Sequence, residues 1–103
     1  MLIYSVHITL EQAAETEWLE YMQQKHLNDV MATDCFVSCQ MLKQTDFISD
    51  NTVEYVIQYS ANTMEKLQHY LDEHAMRLRQ DVVIHFGSRF SAERRIYEVL
   101  KTL

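Results

Sequence analysis

The sequence contains no proline and a single glycine, Gly87, in 103 residues, where average usage gives about five prolines and about seven glycines. Polyproline segments and glycine-rich linkers are therefore excluded, and the turns must be made by Asp, Asn, Ser and Thr. Cysteine is scarce, with only Cys35 and Cys39. On one strand these would lie ~13 Å apart at ~3.3 Å per residue, too far for a disulfide, so two free thiols are expected, packing as small apolar groups. Positive charge is also in short supply. Nine Lys and Arg against fifteen Asp and Glu give a net charge of −6, which offers no attraction to phosphate backbones and argues against nucleic acid or an anionic membrane surface as partner.

Long apolar runs are missing as well. The opening MLIYSVHITL lacks a basic leader and is too short for a signal peptide or a membrane span, so it reads as a strand and the expected location is the cytoplasm. There is no glycine-rich phosphate loop, no G-x-S-x-G elbow, and no H-x-E-x-H or C-x-x-C pairing. Neither a cofactor nor a metal is expected on these grounds.

What is present is periodicity. Leu2 to Leu10 alternates, with Leu2, Tyr4, Val6, Ile8 and Leu10 on one face and Ile3, Ser5, His7 and Thr9 on the other. The pattern predicts a helix from Glu11 to about Ala32, a second strand over Cys35–Lys43, and a turn on TDFISDNT. A third strand follows, marked by Val53, Tyr55, Ile57 and Tyr59. Asn62 with Glu65 resembles a capping box for a second helix, whose stripe is Met64, Leu67, Leu71, His74, Leu78, Val82 and Phe86 and which Gly87 is placed to end in a left-handed cap. Arg89 to Leu100 reads as the fourth strand. The length is that of one domain, residues 1–103, and the order β-α-β-β-α-β is the ferredoxin-like α+β arrangement, a four-stranded antiparallel sheet with two helices on one face.

Large apolar groups fall on both faces of each strand: Tyr4 and Ile3, Met41 and Phe36, Ile57 and Val56, Tyr97 and Phe90. Helices cover only one face, so a second copy of the chain, in a homodimeric α+β barrel, is the expected cover for the other.

A set of segments carries a resemblance: EWLEYM and KHLNDVMAT, the strand VEYVIQY, then LDEHAMRLRQ, and FGSRF ending in YEVL. In these the chain resembles, from Tyr4 to Leu100, a family of short bacterial proteins of unassigned function within the dimeric α+β-barrel superfamily. That resemblance implies the same fold and a ligand site, where one exists, between helices and sheet. The wider superfamily holds cofactor-independent monooxygenases, isomerases, haem-degrading enzymes and binding proteins. The haem-degrading branch relies on an Asn in the first strand and a Trp and a His on the second helix. Here His74 does lie on helix two, but strand one offers His7 instead of Asn and the only tryptophan, Trp18, lies on helix one, which argues against haem degradation.

The candidate site follows from the stripes. His26 replaces an apolar residue on helix one and His74 on helix two, so both are expected to look into the helix–sheet layer. The ordinary reading is two half-buried histidines, each satisfied by one hydrogen bond; the functional reading is a shared polar site that also takes in Trp18, Gln58, Tyr59 and Arg94. Trp18, Tyr55, Tyr59, Tyr70 and Tyr97 are core aromatics or pocket lining. All five arginines lie between Arg77 and Arg95, and Arg94 and Arg95 occupy opposite faces of their strand. One of them must point into a packed layer, where a structural carboxylate is the expected partner.

The leading expectation is a small-ligand binding protein, with a cofactor-independent monooxygenase or isomerase using a histidine base as the alternative. A dimer without a ligand is the third reading.

Overall fold

The computed structural model describes residues 1–46 and 49–103. Part of the TDFISDNT turn, Phe47 and Ile48, therefore lies outside the described residues.

Strand β1 (Leu2–Glu11) leads through a short 3-10 turn, Gln12–Ala14, into α1 (Glu15–Tyr21). A π-helical turn, Met22–His26, then continues into α2 (Leu27–Met31). Strands β2 (Ser38–Lys43) and β3 (Thr52–Ala61) follow, then helices α3 (Met64–Glu73) and α4 (Ala75–Phe86), a 3-10 turn and β4 (Phe90–Glu98). The antiparallel sheet has the order β2-β3-β1-β4, which is the ferredoxin-like α+β fold.

Alternation decides which side chains meet the helices. In β1 Tyr4, Val6, Ile8 and Leu10 are buried, and their β3 partners Tyr59, Ile57 and Tyr55 are buried with them. They form one core with Trp18, Met22 and Val30 of the first helical segment and Leu67, Tyr70, Leu78, Val82 and Phe86 of the second. Full burial of a side chain such as Leu10, Ile57 or Leu67 stabilises the fold by about 1.5–3 kcal/mol relative to exposure. Both helical segments thus lie on one sheet face.

The outer face is more polar than the strand pairs suggest. It carries Ser5, His7, Gln58, Glu93 and Arg95 beside Ile3, Val56 and Tyr97, with Ser5 Oγ 3.1 Å from His7 Nε2 and Arg95 paired to Glu93 at 3.1 Å. Phe36, expected on the face opposite Met41, is instead in the core, its ring tilted against Tyr59 at 5.1 Å and edge-on to Tyr70 at 4.8 Å. Its face cannot be read by strand alternation because β2 begins only at Ser38. Residues 35–37 belong to the connection from α2, which turns through Asp34 at φ 61°.

Three further boundaries differ from the sequence expectation. The cap of α3 is Thr63, whose hydroxyl accepts from the Lys66 amide at 3.1 Å, and not Asn62. The second helix is interrupted at His74. Gly87 does take a positive φ of 54°, but with ψ −129° it lies outside the left-handed helical region, in a conformation that glycine alone adopts easily.

Candidate functional site

A cavity of about 290 Å³ opens between α1, the π-turn, α4 and the inner sheet face. Its apolar walls are Val6, Ile8, Met22, Ile57 and Val82, and its polar contributors are Trp18, His26, Tyr59, Tyr70, Arg79 and Arg94. Trp18, His26, Tyr59 and Arg94, four of the residues singled out from the sequence, therefore meet at one cavity.

The other two do not join them. Gln58 alternates with Ile57 and Tyr59 and so stands on the outer face, opposite Ser5 of β1 and Gln40 of β2; adjacent strand residues cannot share a face. His74 sits at the break between α3 and α4, where its Nδ1 accepts from Arg77 at 3.1 Å. The His26–His74 pairing expected from the two stripes is not formed.

His26 owes its place to the π-turn. The Leu27 amide bonds to the Met22 carbonyl, a reach of five residues instead of four, and such turns recur at functional sites. The imidazole is half-buried at the cavity wall and stacks on Tyr21 at 6.4 Å. Burial drives its pKa down to about 4, only partly opposed by the Asp29 and Asp81 carboxylates, so the ring is neutral near neutral pH.

Around it the cavity is rich in donors. The indole N–H of Trp18 is fully buried and has no hydrogen-bond partner among the described residues. Arg79 donates to the Tyr4 hydroxyl at 2.7 Å, and Arg94 at the rim makes no ion pair among the described residues, whereas Arg95 and Arg89 pair with Glu93 and Glu17. The structural carboxylate expected for one of the paired strand arginines is thus found for Arg95 and not for Arg94. Burial raises the Tyr59 phenol far above its ordinary range and the Tyr70 phenol to about 12, which keeps both protonated as donors. Tyr4, Phe36, Tyr59 and Tyr70 form one aromatic cluster beside the cavity, with ring separations of 4.8–6.2 Å.

Two contributors escaped the sequence reading. Alternation puts Tyr4 on one face of β1 with Val6, Ile8 and Leu10, but that pattern carries no signal for its hydroxyl. Arg79 lies three residues before Val82, so it flanks the buried stripe closely enough to reach under the helix. Of the five aromatics noted from the sequence, Trp18, Tyr55, Tyr59 and Tyr70 are buried, and Tyr97 is half exposed on the outer face.

Comparison with known proteins agrees with the fold. Residues 1–100 match the model of DUF4286, a domain of unknown function, and the chain belongs to that family. No curated protein matches it by sequence. Among solved structures, SnoaB, a cofactor-independent oxygenase from Streptomyces nogalater, is similar with TM-score 0.69 at 17% identity, covering 99% of this chain and 96% of that one. HapK from Hahella chejuensis gives 0.70 at 12% identity over 99% and 95% of the two chains. MhuD, in a mutant with two manganese protoporphyrin IX molecules bound per active site, gives 0.68 at 17% identity over 100% and 98%.

Proposed function

We propose that this DUF4286 protein binds a small, mainly apolar organic anion in the cavity between helices and sheet. The observation that carries the reading is an apolar cavity, walled in part by Trp18, that receives Arg94, a guanidinium with no ion pair among the described residues. The guanidinium forks of Arg94 and Arg79 suit a carboxylate, and the apolar walls suit a ring or chain. A volume of about 290 Å³ sits at the small end of ligand pockets.

A second reading, a cofactor-independent oxygenase or isomerase with His26 as general base, draws support from the oxygenase SnoaB among the structural neighbours. The chemistry favours it less. A base works best with a pKa near the working pH, and an imidazole held at about 4 is a weak proton acceptor.

We further propose a homodimer formed through the outer sheet face, where Ile3, Val56 and the half-exposed Tyr97 are covered by no helix among the described residues. A specific interface of this kind buries roughly 1,200–2,000 Å² in total. Light scattering is then expected to give twice the chain mass, and a monomer at high micromolar concentration would exclude it. The free thiols Cys35 and Cys39 suit a reducing compartment such as the cytoplasm.

The ligand reading is tested with Trp18, the only tryptophan in the sequence. A panel of small aromatic and aliphatic carboxylates is titrated while indole fluorescence and thermal stability are followed. At least one member should quench saturably and raise the melting temperature. A panel without any saturable response removes the reading.

A further inference from the structure

We propose that Cys35, His69 and His74 form a transition-metal site, with zinc or another thiolate-favouring divalent ion as ligand, outside the cavity described above. One ligand atom from each, the Cys35 Sγ and a ring nitrogen of each histidine, lies within 4.8 Å of the others. None of the three lines the cavity, so the site stands independently of the ligand reading.

The local backbone explains why they meet. In an unbroken helix, residues five apart point about 140° away from each other, which would separate His69 from His74. The helix is not unbroken: His74 leaves helical geometry at φ −125°, ψ −32°, and the two rings come to 5.5 Å. Neither proline nor glycine accounts for that interruption, the usual causes of a sharp break. Cys35 arrives from the other side, on the connection following the positive-φ Asp34, with its thiol directed to the Thr33 carbonyl at 3.6 Å. It is buried, while His69 is exposed and His74 intermediate, so the cluster has a dry sulfur and a wet approach.

The donor set selects the ion. One thiolate and two imidazoles suit zinc, cobalt(II) or copper, whereas magnesium and calcium require oxygen ligands. A tetrahedral ion with Zn–S of about 2.3 Å and Zn–N of about 2.0–2.1 Å needs its ligand atoms about 3.3–3.6 Å apart, so each pair closes by no more than about 1.5 Å, within the reach of side-chain rotation. Binding releases the Cys35 thiol proton to solvent as the metal–sulfur bond forms, and both imidazoles coordinate as neutral ligands. The fourth position is left for water. Three protein ligands and one open position are the arrangement of a reactive metal centre more than a purely structural one.

Arg77 opposes the ion. Its guanidinium can only donate, so its 3.1 Å bond fixes Nδ1 of His74 as the acceptor. Coordination through either ring nitrogen requires this bond to break. Removing Arg77 should therefore strengthen metal binding, an effect that a merely structural histidine cluster does not produce.

The experiment is titration of the full-length, chelator-treated protein with cobalt(II), read by visible absorption. One equivalent is expected to give the d–d bands of a four-coordinate ion and a thiolate-to-cobalt charge-transfer band, both discharged by zinc. Cys35→Ser should abolish the charge-transfer band, and His69→Ala, at an exposed position that leaves folding intact, should weaken binding by more than the roughly 10–100-fold typical of losing a residue that only supports a ligand. Arg77→Met should tighten binding several-fold, and Cys39→Ser should change nothing. Absence of the bands in the wild-type protein, undiminished affinity in His69→Ala, or loss of the charge-transfer band in Cys39→Ser overturns the site.

Discussion

The rings of Tyr21 and His26 stack at 6.4 Å with an interplanar angle of 23°, across a backbone that has widened by one residue to bring them level. The stack covers one side of an imidazole whose other surroundings are protein and cavity, so protonation must be accommodated without full hydration. The unfolded chain takes up that proton near the ordinary 6.5 and the folded chain only near 4. The stability tied to a neutral His26 is therefore complete above pH 6.5, declines as the pH falls, and is lost below the folded value. The full span is worth about 3 kcal/mol. Urea unfolding from about pH 7 down to about pH 4 should show this slope in the wild type and a flatter one in His26→Leu, which fills similar volume without a titrating group. An unchanged slope in the variant would remove His26 as its source.

Arg94 and Arg95 are neighbours with opposite fates, one at the cavity rim and the other paired to Glu93 on the outer face. Replacing Arg94 with Gln should leave thermal stability without ligand unchanged within about 0.5 kcal/mol, while the stabilisation given by any carboxylate that binds is lost. The same change at Arg95 should spare ligand stabilisation. Exposed pairs such as Arg95–Glu93 contribute about 0–1 kcal/mol, so its own stability effect is small. A large stability loss in Arg94→Gln without ligand would identify a structural role.

Glu15 accepts from both Lys43 at 2.8 Å and the Tyr55 hydroxyl at 2.6 Å, tying α1 to β2 and β3. These bonds, that from Lys43 foremost, hold its carboxyl below the usual 4.5. The stabilisation they supply is present above that value and fades as the pH drops through the lowered one. Tyr55→Phe is expected to cost about 1–2 kcal/mol in denaturant unfolding at neutral pH, the range for a partly shielded bond to a charged acceptor. No measurable cost would mean that solvent replaces the hydroxyl freely.

Gly87 offers a test of backbone strain free of steric interference. A Cβ built there meets nothing within 4 Å, yet φ is +54°. Gly87→Ala should therefore lose about 1–3 kcal/mol from the backbone alone, lowering the melting temperature by several degrees. A neutral result would show that the turn relaxes to a negative φ.

Much of this architecture was readable in advance because strands reveal themselves by alternation. Leu2 to Leu10 and Val53 to Tyr59 assigned their own faces, and the structure keeps both assignments. The same rule separates Gln58 from Tyr59, although both had been grouped as site residues. What alternation cannot report is where a strand starts. Cys35 and Phe36 were placed by extending β2 too far back, and both instead serve the layer above the sheet. Helical periodicity has a matching blind spot. It assumes a constant turn, so it missed the widened turn before His26 and the break at His74, and these two departures decide which residues each histidine faces.

The strand order β2-β3-β1-β4 places the earliest strand in the middle of the sheet. Leu2 to Leu10 take Phe90 to Glu98 as partners on one side, and residues 11 to 89 lie between the two strands in the chain. At synthesis rates of about 5–20 residues per second, roughly 4–16 seconds pass in which β1 exists without that neighbour. During this interval one edge of an apolar strand is open to any other chain nearby. Without proline, the chain has no slow prolyl isomerisation to prolong the exposure once β4 has emerged. Closing of the last strand pair, not formation of the helices, is thus the moment at which β1 ceases to offer an open edge to its neighbours on the ribosome.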